Sequence, residues 1–155
     1  MTIYCIDTST MIDAGERHYP IDVFPGFWEK LDDLIESNRL KAPKTLLDEL
    51  EGKDDKWRDW VYERAEKMIL PMDEAIQAAM RTVMPVYAAN VTNPDSIKGD
   101  PFFIAASMAF GATLITSEKA RKGGAKIPKI CAELGVAWVT LVDASRAEGW
   151  RFGAI

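Results

Sequence analysis

The chain has 155 residues, 48% of them hydrophobic and 28% charged. That length suits one compact domain, residues 1–155, and that composition excludes a disordered chain. The formal net charge of −5 argues against simple electrostatic adhesion to nucleic acid, and no apolar run reaches the ~18 residues needed to span a bilayer.

Residues 2–7, Thr2-Ile3-Tyr4-Cys5-Ile6-Asp7, form a short run of strand formers that stops at an acid. With no basic stretch before it, this reads as a strand and not a signal peptide. A loop through Tyr19-Pro20 and Phe24-Pro25-Gly26 leads to a helix over about residues 26–38, with Phe27, Leu31, Leu34 and Ile35 on one face. A short strand at residues 40–42 precedes Pro43, which opens a helix carrying Leu46, Leu47 and Leu50.

Trp57, Trp60, Val61, Arg64, Ala65, Met68 and Ile69 recur at helical spacing and predict one amphipathic helix stopped by Pro71. Another runs from residue 73 to about 87, with Pro85 bending or ending it. Residues 90–99 are rich in Asn, Thr, Pro, Asp and Gly and predict a loop. Asp100-Pro101 then starts a helix over residues 102–110 that is apolar nearly all round, hence central, and is closed by Gly111. Residues 112–116 predict a buried strand, 127–134 a helix, 136–140 the last strand, and 143–148 a short final helix. Strands alternating with helices imply an α/β fold, a parallel sheet covered on both faces.

The chemistry available is narrow. His18 is the only histidine, and Cys5 and Cys131 sit in apolar segments without a Cys-x-x-Cys. Buried thiols in a reduced, cytoplasmic protein are the expectation. A zinc site of thiolates or imidazoles, or a Ser-His-Asp triad, is poorly supplied. Carboxylates remain, and their hard oxygens suit Mg²⁺ or Mn²⁺.

Four positions stand out, each with an ordinary structural role beside the functional one. Asp7 ends a buried strand, where a charge needs a cation or hydrogen-bond donors, and the turn amides of Thr8-Ser9-Thr10 could supply the donors. Asp100 is placed to cap its helix. Glu49 lies on a short helix between Asp48 and Glu51, and Asp48 is its nearest rival for any inward role. Glu118 follows the 112–116 strand and could cap the next segment. In parallel sheets ligands bind beyond the carboxyl ends of strands, where Asp7 and Glu118 stand.

Taken in order, Asp7-x-Ser9 after the first strand, a helical Glu49, Asp100-Pro-Phe-Phe-Ile-Ala-Ala106 and Leu114-Ile-Thr-Ser-Glu118 resemble the PIN-domain family, over almost the whole chain. Residues 19–28 and Asp48-Glu49-Leu50 resemble a bacterial subfamily related to toxin ribonucleases of type II toxin–antitoxin systems. The resemblance implies a three-layer fold and a Mg²⁺- or Mn²⁺-dependent ribonuclease. Asp7, Glu49, Asp100 and Glu118 are its implied metal ligands, and Ser9 supports them from behind. It also implies RNA as substrate and a partner surface for an antitoxin or a second copy. The last acid is commonly aspartate in that family, whereas here it is Glu118.

Just beyond Glu118, Lys119, Arg121, Lys122 and Lys126 form a basic run with no acid among them, suited to phosphate contacts, with Gly123-Gly124 allowing the loop to adjust. A solvated loop is the plainer reading of the same run. A haloacid-dehalogenase-like phosphatase would need Asp-x-Asp where Ser9 stands, and a receiver domain would need an early acidic pair. A binding or scaffold module that keeps the fold without turnover is the non-enzymatic alternative.

Overall fold

The computed structural model describes residues 1–52, 54–91, 100–117 and 127–153. Five strands, β1 (Tyr4–Ile6), β2 (Leu40–Pro43), β3 (Ile69–Leu70), β4 (Thr113–Ile115) and β5 (Trp138–Val139), pair in parallel in the order β3-β2-β1-β4-β5. Tyr4, Cys5 and Ile6 are opposite Thr113, Leu114 and Ile115. All three β1 residues are buried, as a central strand covered on both faces requires. The fold is three-layer α/β and PIN-like.

The strand order positions the site. From β1 the chain moves outward to β2 and β3, then returns across β1 to β4 and β5 on its other side. The reversal leaves a crevice at the carboxyl ends of β1 and β4, where open parallel sheets place ligands. Asp7 directly follows one of these strands and Thr116 the other.

Nine α-helices lie among the described residues. α2 (Pro25–Glu36) buries Phe27, Leu31, Leu34 and Ile35, the face its spacing predicts, and packs on β2. α7 (Asp100–Phe110) packs on β1, β2 and β4, which explains its apolar circumference. α6 (Glu74–Ala89) runs on through Pro85, although the ring removes one ladder hydrogen bond. Burial of Ile76, Ala79, Val83 and Tyr87 holds the helix together, with α7 its main neighbour. α8 (Ile127–Leu134) matches its expected bounds, and α9 (Leu141–Ala147) is capped by Thr140, whose hydroxyl accepts from the Asp143 amide at 3.1 Å.

Pro43, expected to open a helix, instead ends β2 and pairs with Leu70, and two longer stretches also differ from the sequence expectation. The single helix over 57–69 is broken at Arg64 into α4 (Lys56–Glu63) and α5 (Ala65–Met68), and Ile69–Leu70 becomes β3. Ile69 and Leu70 pair with Ala42 and Pro43, so sheet hydrogen bonds outweigh the last helical turn. The stretch after Asp7 is also no simple turn. It forms α1 (Thr8–Asp13) and then a π-helical turn (Ala14–His18). Gly15 lies in that turn against the indole of Trp57, where an added Cβ would stand 2.4 Å from the ring.

The C-terminal helix is clamped to the sheet by one carboxylate. Glu148 accepts from both Arg39 terminal nitrogens, at 2.8 and 2.7 Å, and from the Tyr4 hydroxyl at 2.8 Å. The Arg39 hydrogen bonds hold the Glu148 carboxyl below its usual 4.5. A group with a lowered folded pKa stabilises fully above its unfolded value and loses that contribution as pH falls through the folded one. Glu148→Gln is therefore expected to lose about 2 kcal/mol at neutral pH. Denaturant melts should show the gap to wild type closing as the pH falls below 4.5 and through the lowered folded value. A gap independent of pH would refute the clamp.

Cys5 and Cys131 are buried free thiols, and burial pushes each up to about 12. Among the described residues no helix is long and apolar enough to cross a membrane.

Candidate metal centre and adjoining cleft

Asp7 has two jobs. Its backbone bridges the central strands, the amide donating to the Ile115 carbonyl at 3.2 Å. Its side chain caps α1, Oδ1 accepting from the Thr10 amide at 2.9 Å and from the Ser9 hydroxyl at 3.3 Å. Oδ2 accepts a short hydrogen bond from Thr116. A backbone donor expected from this stretch is thus present in the Thr10 amide, but it belongs to a helix rather than a turn, and Ser9 bonds the carboxylate itself.

These donors do not neutralise the charge. Asp7 is only 4% exposed, and burial drives its carboxyl above the normal range despite the donors from Thr10 and Thr116. The nearby Asp100 carboxylate pushes in the same direction. The buried Asp7 and the half-buried Asp100 thus repel each other.

Asp100 is the first residue of α7, and Tyr87 on α6 donates to its Oδ2 at 3.3 Å. Glu49, on α3 (Thr45–Leu50), is half-buried and accepts from the Thr8 hydroxyl at 2.9 Å, whereas Asp48 is exposed. Glu49, and not Asp48, is thus tied to Thr8, the first residue of the helix that follows Asp7. Glu118 and the basic residues Lys119, Arg121, Lys122 and Lys126 lie outside the described residues.

A hard cation fits part of this arrangement. A carboxylate offers about four lone-pair directions. Three on Asp7 are taken by Ser9, Thr10 and Thr116, and the one left is on Oδ2. A divalent ion there would relieve the repulsion with Asp100, and an oxygen-only donor set suits Mg²⁺ or Mn²⁺. Among the described residues no three acidic, histidine or cysteine groups meet closely enough to hold an ion by themselves.

A cleft of about 710 Å³ opens beside Asp7, toward β5. Thr10, Ala14, His18 and Tyr19 form one wall; Thr116 and Ser117 border the crevice, and Thr140, Leu141 and Val142 form the other wall. Asp13 and Asp143 also line it. Sequence reasoning found none of this cleft, and it left Thr116 without a role. One signal was available for Thr116: it ends a strand beside Asp7's strand, as Thr140 ends the next one out.

The model of a family described as "Domain of unknown function (DUF4411)" matches residues 4–152. No curated protein matches the chain. Among solved structures, the fold is similar to that of VapBC2 from Rickettsia felis, bound to a DNA fragment from their promoter. That likeness has a TM-score of 0.57 and 15% identity, over 90% of this chain and 98% of that one. FitAcB from Neisseria gonorrhoeae is similar at a TM-score of 0.51 and 22% identity, over 89% of this chain and 97% of that one.

Proposed function

Starting from a chain that belongs to the DUF4411 family and folds as a PIN-like domain, we propose that it is a metal-dependent endoribonuclease, the toxin of a toxin–antitoxin pair. The observation that carries the reading is the buried Asp7 at the strand-order reversal, within reach of the Asp100 charge. Likeness in fold to the VapBC2 and FitAcB structures supports the toxin part and a protein antitoxin as partner.

Asp7, Asp100 and Glu49 would hold Mg²⁺ or Mn²⁺, with Glu118, the second residue after Thr116, as the fourth acid. A divalent ion supplies a water of lowered pKa and a positive charge for the scissile phosphate. The chain's own residues orient that site. Ser9, Thr10 and Thr116 fix the Asp7 carboxylate so that its remaining lone pair faces one direction. Tyr87 steadies Asp100 and Thr8 steadies Glu49. The basic run Lys119, Arg121, Lys122 and Lys126 supplies phosphate contacts that position the RNA without reading its bases.

The test is cleavage of single-stranded RNA with Mg²⁺ or Mn²⁺, with and without a chelator, by wild type, Asp100→Asn, Glu49→Gln and Asp48→Asn. Chelation should abolish cutting. Asp100→Asn and Glu49→Gln should each lose at least about tenfold, while Asp48→Asn stays close to wild type. A folded wild type that leaves RNA intact with both metals would overturn the assignment.

A further inference from the structure

We infer that the cleft beside Asp7 is a nucleoside subsite, taking the base and sugar of the unpaired nucleotide next to the phosphate held at the carboxylates. The inference rests on the nuclease reading for its reaction but not for its binding chemistry, which follows from the cleft's own walls.

Its size is that of a small-molecule pocket and not of a surface dimple, about 710 Å³. Among the described lining residues there is no lysine or arginine. Its two acids are each ion-paired along their own segments, Asp13 to Arg17 at 3.5 Å and Asp143 to Arg146 at 3.3 Å. The described part of the wall is therefore mostly apolar and nearly neutral, a poor seat for a phosphate and a suitable one for a base with its sugar. Apolar surface from Ala14, Tyr19, Leu141 and Val142 provides contact for a flat ring.

Polar side chains stand beside that apolar surface: Thr10, Thr116, Ser117, Thr140 and His18 also line the cleft, and groups of these kinds pair with a base edge or a sugar hydroxyl.

The wall is also held in place. The Tyr19 ring stacks on Phe27 at 4.2 Å between centroids, and its carbonyl accepts from the Trp28 indole at 2.7 Å. The π-helical turn that carries His18 to the rim is a geometry frequent at functional sites. Opposite it, Thr140 caps α9 and so fixes Leu141 and Val142. A preformed pocket of this kind loses little freedom when it binds.

The experiment is equilibrium binding to the full chain without divalent metal, comparing cytidine 5′-monophosphate with ribose 5-phosphate and mapping the amide shifts that each moves. The base-bearing ligand is expected to bind about tenfold tighter or better, with shifts at Thr10, Thr116 and Val142. Val142→Trp, at a position 46% exposed, should fill the cleft and erase the difference between the ligands. The same variant should raise KM for single-stranded RNA. Equal binding of the two ligands, shifts confined elsewhere, or unchanged nucleotide binding by folded Val142→Trp would overturn the subsite, even if wild type cuts RNA. Conversely, base-dependent binding in the cleft without cleavage would leave the subsite standing and remove the nuclease reading.

Discussion

Asp7→Asn is expected to lose metal-dependent RNA cleavage by at least about a hundredfold while making the metal-free protein melt at a higher temperature. The two effects have one cause. Asp7 is buried, its carboxyl is pushed up by burial, and the Asp100 charge adds to the strain. Asparagine keeps an oxygen for the Thr10 amide, and its amide can face the Thr116 hydroxyl, which is able to accept as well as donate. The fold thus keeps its cap and sheds a poorly solvated charge. The metal loses a ligand for the same reason.

Thermal melts of both proteins with and without Mg²⁺ or Mn²⁺ separate this from a purely structural role. Wild type should gain stability from the metal, through preferential binding to the folded state, and the variant should gain little. If Asp7 were only a cap, metal would leave both melts unchanged and the substitution would be near neutral for activity. A variant that cuts RNA as well as wild type would remove Asp7 from the centre.

Gly15→Ala is expected to destabilise the protein by about 3 kcal/mol, which for a chain of this size lowers the melting temperature by about 6–12 °C. The new Cβ would stand 2.4, 2.5 and 2.7 Å from three ring atoms of Trp57. Trp57 is 3% exposed and cannot swing into solvent without uncovering the core beneath α4. Either the indole or the π-helical turn must shift, and that turn forms a wall of the cleft. Shortening the opposing side chain should relieve the clash, so Gly15→Ala combined with Trp57→Leu should cost less than the sum of the two single changes. A melting temperature for Gly15→Ala within about 2 °C of wild type would mean that the turn and indole are not packed as described.

Much of the architecture was legible because its causes are local. Helical spacing of Phe27, Leu31, Leu34 and Ile35 predicted α2, and Asp100-Pro101 before an apolar run predicted the start of α7. Asp7 could be placed because a polar residue ends a run of buried strand formers. The stretch Thr8-Ser9-Thr10 misled for an equally local reason: such residues favour turns and caps, and α1 forms because Asp7 caps it. Ile69 and Leu70 fit a helical pattern and a strand alike, so only their partners Ala42 and Pro43 could choose.

The sequence by itself determined the α/β alternation, the covered parallel sheet and the location of acids at strand and helix ends, since periodicity, caps and breakers act within a few residues. Only the tertiary structure decided which acids and hydroxyls converge. Glu49 faces Thr8 while Asp48 faces solvent, Thr116 reaches Asp7 across 109 positions, and Tyr87 meets Asp100 from another helix. The cleft beside them is built from the ends of three strands that are distant in sequence. Such convergence depends on strand order and helix rotation, which are set by burial of the whole core and leave no trace in the spacing of any single segment.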